Sequence, residues 1–237
     1  MAIEKAFPEQ EFTLPDISKM TGSLAQRVYL ALRSSILSVD LLPGDIIRKK
    51  SICDQLGVSR SPVSEAITKL ALEGLVEVIP QSASRVTKLS LADIREGAFL
   101  REAVELAAIT KVAVEHSEAE LALLKRNIRL QALCLEDKDE PGFFAEDERM
   151  HQLILSFTGF PKIEAMSKTA WVQVDRARQF LLPIEGRAYE AYREHLAILD
   201  AIESRDAQAA RNAMQKHLSE LVNRLEPLAV KRPELFD

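Results

Sequence analysis

The sequence predicts a mainly α-helical protein with one small β-hairpin in its first third. Apolar residues recur at helical spacing through most of the 237 residues, in long stretches rich in Ala, Leu, Glu and Arg. Two short β-forming runs, LVEVIP and RVTKL, are separated by the turn-forming QSAS. The hydrophobic share of 47% and the charged share of 28% are typical of a soluble globular protein.

A flexible arm and one helix are predicted at the start of the chain. Residues 1–20 lack sustained periodicity and contain Pro8 and Pro15, which favours a flexible or loosely docked arm. A helix is expected to begin after Ser23, a candidate N-cap, and to end before the turn signal at Pro43-Gly44. One face of this helix carries Leu24, Val28, Ala31, Leu32, Ser35 and Val39.

The segment 49–70 predicts two short helices joined by a tight turn. The first has an apolar side at Ile52 and Leu56, and Gly57 supplies the backbone freedom that a sharp corner needs. Ser59 is a candidate N-cap, because its hydroxyl can accept a hydrogen bond from an amide of the second helix. With the preceding helix and the hairpin, this pattern predicts a winged helix-turn-helix, an arrangement that binds DNA.

The second of these helices has an apolar face and a polar face. Val63, Ile67 and Leu70 recur at i, i+4 and i+7 and are expected to face inward. The outward face then carries Arg60, Ser61, Ser64 and Thr68. Short hydroxyl side chains and an arginine suit phosphates and base edges in a major groove. The alternative interpretation is an ordinary αα-hairpin with a solvated polar face.

Charge is divided unevenly along the chain. Residues 21–90 carry nine Lys and Arg against six Asp and Glu, a balance of +3, whereas residues 91–237 carry twenty against twenty-six, a balance of −6. A mildly basic first module is compatible with DNA binding despite the net charge of −5, because phosphate contacts depend on local charge.

Cellular location and cysteine chemistry are also constrained by the sequence. No apolar run approaches the roughly 20 residues that cross a bilayer, and the acidic N-terminus lacks a signal-peptide core, so we expect a cytoplasmic protein without a membrane segment. Cys53 and Cys134 lie on apolar helical patterns and are expected to be buried thiols.

From residue 90 onward the pattern is helical alone and predicts a bundle of about six helices. Their expected ranges are 91–116, 117–136, 141–157, 163–182, 186–204 and 207–225. The sequence therefore predicts an arm at residues 1–20, a DNA-binding domain at 21–89 and a helical domain at 90–230.

Three histidines lie where this bundle should be apolar. His151, His195 and His217 each sit on an apolar helical face, and Asp147 precedes His151 by one turn. A lone histidine in such a place is most often a hydrogen-bonded core residue. Three histidines and a carboxylate on different helices instead predict a site for a divalent transition metal, with a position open to water or a small organic acid. His116 is predicted to be exposed and to lie outside this site.

Two arginines are candidates for binding an anionic effector. Arg101 either offers a cation to such a ligand or forms a surface pair with Glu105, one turn on. Arg176 and Arg178 are weaker candidates, because each of them can pair with the neighbouring Asp175.

These motifs together resemble the GntR family of bacterial transcriptional regulators, in its FadR-like subfamily with an FCD effector domain. The resemblance covers nearly the whole chain after residue 20. It is carried by LPG at 42–44, LGVSRSPVSEAITKLALEGLVEV from Leu56, FLREAVELAA from Phe99, Asp147 with His151, His195 with the following LAILDAI, and His217.

The resemblance implies a ligand-responsive regulator, with repression favoured over activation, that binds a two-fold symmetric operator as a homodimer. It places Lys50, Arg60 and Ser61 against DNA. It also makes Asp147, His151, His195 and His217 the ligands of zinc or nickel, and Arg101 the partner of an effector carboxylate that triggers release or rearrangement.

Two departures from the family pattern affect DNA binding. Ser64 stands where the family usually has an arginine, and Ser82-Ala83 replaces the usual Arg-Gly at the wing tip. Each change removes a cationic contact, which Arg85 on the wing strand can replace.

Two other functions remain open at this point. A metal-dependent hydrolase would use the same three histidines and aspartate, but catalysis needs an acid or base beside the metal-bound water, and the helical pattern predicts no further inward carboxylate there. A DNA-binding regulator with merely structural histidines would sense its ligand without metal.

Overall fold

The computed structural model describes residues 12–79, 83–184 and 186–237, apart from the side chain of Lys168. The chain divides after Lys88 into two compact units. Most of the predicted arm, residues 1–11, lies outside the described residues. The following segment packs on the first unit, because Leu14 and Ile17 are each 7% exposed and the Leu14 amide donates to Gln55 Oε1 at 3.2 Å.

The first unit combines three helices with a small antiparallel sheet. The elements are α1 (Leu24–Leu37), β1 (Ile46–Ile47), α2 (Lys49–Leu56), α3 (Arg60–Leu72), β2 (Val76–Val78) and β3 (Ser84–Val86). The strand order is β1-β3-β2, with Val76 opposite Val86 and Ile46 opposite Arg85. The predicted hairpin is present. β1 was not predicted, because two residues are too few to show periodicity.

The second unit has helices as its only regular elements among its described residues, apart from an isolated bridge between Leu89 and Phe236. It contains α4 (Leu91–Glu115), α5 (Glu118–Asp137), α6 (Glu140–Phe157), α7 (Pro161–Ala170), α8 (Val172–Leu181), α9 (Arg187–Glu203) and α10 (Ala207–Lys231). α4 packs on α10, α5 on α6 and α9 on α10 around one apolar core. The mainly helical fold class is therefore confirmed.

Several predicted helix bounds and side-chain exposures were wrong. The single helix expected at 163–182 is two helices that meet at Trp171 (φ −105°, ψ 7°). The last helix continues through Pro227 to Lys231. His116 is 4% exposed rather than on the surface, with Nδ1 2.9 Å from the Val112 carbonyl. Cys53 and Cys134 are free thiols as expected, but both are partly exposed.

Val39 holds a strained backbone conformation. It was expected on the inward face of the first helix, but α1 ends at Leu37 and Val39 follows with φ +57°. A β-branched residue in this left-handed region is uncommon, because Cβ and its branches crowd the backbone. Strain of this kind costs on the order of 1–3 kcal/mol.

Val39→Asn is therefore expected to raise the free energy of unfolding of the first unit by about 1 kcal/mol, since asparagine tolerates this conformation. Urea denaturation followed by circular dichroism measures the change. Val58→Asn is the matched control, because Val58 is a partly exposed loop valine that is not among the described residues of positive φ. A Val39→Asn protein less stable than wild type would contradict the strain.

No helix within the described ranges is both long enough and apolar enough to span a membrane.

Candidate functional site

Four buried side chains from three helices converge in the second unit. Asp147 and His151 lie one turn apart on α6, His195 lies on α9 and His217 on α10. One ligand-capable atom of each lies within 4.8 Å of the others. All four side chains are 7% exposed or less. The structure thus brings together the four residues that the sequence predicted as a set.

The same ring nitrogen of all three histidines faces the centre of this group. His217 Nε2 lies 3.2 Å from His151 Nε2 and 3.4 Å from His195 Nε2. Asp147 Oδ1 lies 3.5 Å from His195 Nε2. Nitrogens bound to zinc at 2.0–2.1 Å at the corners of a tetrahedron stand about 3.3 Å apart. The two distances that His217 Nε2 makes with the other rings therefore fit binding to a common metal ion.

The other ring nitrogen of each histidine contacts an acceptor. His151 Nδ1 pairs with Glu105 on α4, His195 Nδ1 lies 2.8 Å from Gln131 Oε1 on α5, and His217 Nδ1 lies 2.7 Å from Glu194 Oε2. Oxygens of this kind only accept, so Nδ1 donates, and in a neutral ring Nε2 then has its lone pair free for a metal. The expectation of no further inward carboxylate was wrong, since Glu105 and Glu194 both lie beside the histidines.

The protonation states of two rings suit metal binding. Burial, reinforced by the neighbouring histidines, lowers the pKa of His195 and of His217 well below the ordinary value. Both rings are therefore neutral near pH 7, which is the form that binds a metal.

Each carboxylate that contacts the histidine group also pairs with an arginine. Arg101 Nε donates to Glu105 Oε1 at 2.6 Å, and Arg187 donates two bonds of 3.1 and 3.0 Å to Glu194. The third pair joins Arg178 to Asp147. Burial alone would raise the pKa of Glu105, but the His151 ring and the Arg101 guanidinium outweigh it and hold that pKa well below its usual range.

These arginines line a cavity beside the histidine group. The cavity measures about 40 Å³, and its polar lining consists of Arg101, Arg178, Arg187, Arg224, Asp147, His217 and Glu220. Since one water needs about 10–15 Å³, the space holds about three waters or one carboxylate group. Arg101 thus reaches the predicted anion site, although its pair with Glu105 is buried and not on the surface.

Arg176 does not occupy the predicted position. It is fully buried, its Nη1 donates to Gln173 Oε1 at 2.9 Å, and it is absent from the described lining of the cavity. Arg178, the candidate named together with it, does line the cavity. Two residues along a helix turn a side chain by about 200°, so only one of these two arginines can face the cavity.

The first unit presents the predicted polar surface at its second and third helices. Gly57 ends α2 with φ +64°, which makes the corner before α3. The side chains of Lys50, Ser59, Arg60 and Ser61 are exposed, and Ser64 and Arg85 are partly exposed. Ser59 occupies the N-cap position of α3, but within the described residues its hydroxyl makes no capping hydrogen bond, contrary to the prediction. Ser82 of the wing tip lies outside the described residues.

Two sequence families match the chain. Residues 24–86 match the family described as bacterial regulatory proteins, gntR family, and residues 96–220, more than half of the chain, match the FCD domain. The chain belongs to the GntR family of bacterial regulatory proteins. The resemblance drawn from the motifs is confirmed, and this GntR-family protein is a transcription regulator that carries an FCD domain.

Known relatives of this GntR-family chain are regulators. The HTH-type transcriptional repressor RspR of Escherichia coli (strain K12) is 31% identical over 220 residues, which are 91% of this chain and 95% of RspR. An uncharacterized HTH-type transcriptional regulator of Streptomyces ambofaciens is 34% identical over 209 residues, 88% of each chain. These names indicate a transcription regulator rather than an enzyme.

A solved structure shows the same fold. E. coli McbR/YncC superposes with a TM-score of 0.73 at 22% identity, covering 90% of this chain and 99% of McbR/YncC. The helix-turn-helix domain of the GntR family implies that the first unit binds DNA.

Proposed function

We propose that this protein is a metal-containing, ligand-responsive repressor. Asp147, His151, His195 and His217 hold one divalent ion, and the adjacent cavity takes a small carboxylate effector. The observation that carries the proposal is the convergence of three Nε2 atoms whose rings are each held through Nδ1 by a separate acceptor. A donor set of three imidazoles and one carboxylate favours zinc or nickel.

The charge balance around the cavity supports a role for the ion in effector binding. The four arginines of the lining are matched by four carboxylates, in the pairs Arg101–Glu105, Arg178–Asp147, Arg187–Glu194 and Arg224–Glu220. The arginines alone therefore give the cavity little net attraction for an anion. A divalent ion held by the three histidines and Asp147 would add two positive charges beside the cavity and would act as a Lewis acid toward a carboxylate. Effector binding is accordingly metal-dependent, and Arg101 and Arg178 position the carboxylate.

The two units have different proposed functions. Residues 21–89 bind operator DNA through Lys50, Ser59, Arg60, Ser61, Ser64 and Arg85, and residues 90–230 bind metal and effector and form the homodimer. A dimer matches a two-fold symmetric operator, because two helix-turn-helix units then read equivalent half-sites. DNA as the partner implies a cytoplasmic location.

The coupling between effector and DNA is proposed to start in α4. This helix carries Arg101 and Glu105 beside the cavity, and its first residue, Leu91, follows the junction between the units. A shift of α4 on effector binding changes the spacing of the two recognition helices in the dimer and lowers operator affinity.

Arg60→Ala is expected to weaken operator binding by about 1–3 kcal/mol if Arg60 contacts a base edge. Arg60 is exposed at the first position of α3, where recognition helices meet base edges. Gel shifts on an operator selected by the wild-type protein from random duplexes measure the change. Arg211→Ala, an exposed arginine of α10, removes the same charge and should leave binding unchanged. An equal affinity for Arg60→Ala and wild type would remove Arg60 from the DNA surface.

A further inference from the structure

We propose that Gln131 is a positioning residue that fixes the tautomer of His195 and so prepares the histidine group for metal before any metal arrives. The inference rests on the proposed metal centre and adds to it a residue that is not itself a ligand. It follows from the direction of a buried hydrogen-bond chain that runs from α6 through α5 to α9.

Gln131 is a polar residue on the apolar face of α5. Leu124 and Ile128 on that face are buried, and Asn127 and Gln131 are buried with them at 3% and 0% exposure. Buried amides must satisfy their hydrogen bonds internally, because an unpaired donor or acceptor is costly. The partners of these two amides therefore decide which way each one faces.

The donor and acceptor directions of this series of hydrogen bonds are set at Glu146, where the series begins. Asn127 Nδ2 donates to the Glu146 carbonyl at 2.8 Å and to Glu146 Oε2 at 2.6 Å. A backbone carbonyl and a carboxylate can only accept, so this end of the Asn127 amide must be its NH2 group. Asn127 Oδ1 is consequently the atom that accepts from Gln131 Nε2, at 2.8 Å.

The orientation of Gln131 follows from that of Asn127. Because the Gln131 NH2 group faces Asn127, its Oε1 is the atom that lies 2.8 Å from His195 Nδ1. An amide oxygen only accepts, so His195 Nδ1 carries the hydrogen. In the neutral ring, Nε2 then presents its lone pair toward His217 Nε2 and Asp147 Oδ1, at 3.4 and 3.5 Å.

The opposite tautomer would place a hydrogen on His195 Nε2, which faces the other proposed ligands. That hydrogen would have to leave Nε2 before this nitrogen could bind a metal. Glu105 and Glu194 serve His151 and His217 in the same way, but each is shared with an arginine that lines the cavity. Gln131 is a neutral acceptor that is anchored through Asn127 to backbone. It therefore holds His195 in the metal-binding tautomer without adding charge to the site.

Two readouts test the proposal in the full-length protein. The ¹⁵N chemical shifts of the His195 ring in metal-free wild type report its tautomer directly, and hydrogen on Nδ1 is expected. Zinc affinity is measured by competition with a chromophoric chelator. Gln131→Leu, which keeps the approximate size but removes the acceptor, should bind zinc about 10–100-fold more weakly and show a mixed tautomer. Gln131→Glu keeps an acceptor oxygen for His195 Nδ1 but loses the donor to Asn127 Oδ1, so it should restore the tautomer with hydrogen on Nδ1.

Gln208→Leu is the matched control, because Gln208 is exposed on α10 and bonds Asn212. A wild-type His195 with its hydrogen on Nε2 would overturn the proposal, as would wild-type zinc affinity in a folded Gln131→Leu. If Gln131→Leu does not fold, the tautomer of His195 in the wild-type protein is sufficient to test the proposal. A wild type that binds neither zinc nor nickel would refute the proposed metal centre, whereas the tautomer would still report on Gln131 alone.

Discussion

Glu105→Leu is expected to lower the free energy of unfolding of the helical unit by about 3–5 kcal/mol, one of the largest single-residue effects in this protein. Glu105 is fully buried and Arg101 is 4% exposed, and they form a hydrogen-bonded ion pair at 2.6 Å. Leucine fills a similar space but leaves the Arg101 charge buried without a partner. It also removes the acceptor of His151 Nδ1.

The double variant Arg101→Leu/Glu105→Leu is the control for this effect. Replacing both members of a buried ion pair with apolar residues costs far less than removing one, so the double variant should recover much of the loss. Trp171 is the single tryptophan of the chain and is 5% exposed in the helical unit, so its fluorescence during urea denaturation reports on this unit. A loss below about 1 kcal/mol for Glu105→Leu would show that Arg101 does not depend on this carboxylate.

Removing the metal is expected to have an effect of comparable size. An ion present at about 1,000 times its Kd stabilises the folded state by about 4 kcal/mol, so a chelator should lower the melting temperature and weaken carboxylate binding together. Thermal melting with and without chelator, and titration with a panel of small carboxylates, measure the two effects.

Histidine variants make this experiment specific. His195→Gln should abolish the response to chelator, because a ligand is lost. His116→Gln should retain it, because His116 is a buried histidine of the same unit that contacts the Val112 carbonyl and lies outside the group. Identical melting temperatures of wild type with and without chelator would contradict the proposed role of the ion.

The sequence predicted the elements whose signals are local. Long apolar periodicities identified most of the helices, and the Gly57 corner with the inward face at Val63, Ile67 and Leu70 identified the helix-turn-helix. The histidine group was also predictable, because histidine on an apolar helical face is chemically conspicuous. In a helical bundle the apolar faces of the helices pack against each other, and this packing brings the histidines together.

Other features depend on packing and could not be read in the sequence. The break at Trp171 has neither glycine nor proline beside it. The helical pattern of apolar residues continues across it, so the sequence predicted one helix there. Glu194 precedes His195 in the chain but contacts His217 on another helix, which no spacing rule indicates. Gln131 did carry a usable signal, as a polar residue on the otherwise apolar inward face of its helix.

The proposed DNA-binding surface carries fewer arginines than the resemblance leads us to expect. Ser64, where the resemblance leads us to expect an arginine, is only partly exposed on α3. Arg60 is exposed on the same helix, and Arg85 on β3 is partly exposed in the adjacent sheet. A contact set with fewer arginines predicts a weaker dependence of affinity on salt, since fewer counterions are released.

Elemental analysis combined with native mass spectrometry of freshly purified protein is the decisive test of the proposed metal centre, because it reports the metal, any bound acid and the dimer mass together. We expect one zinc or nickel ion per chain in wild type, and loss of that ion in His195→Gln. Wild-type protein without a divalent ion, even after incubation with zinc and with nickel, would contradict it.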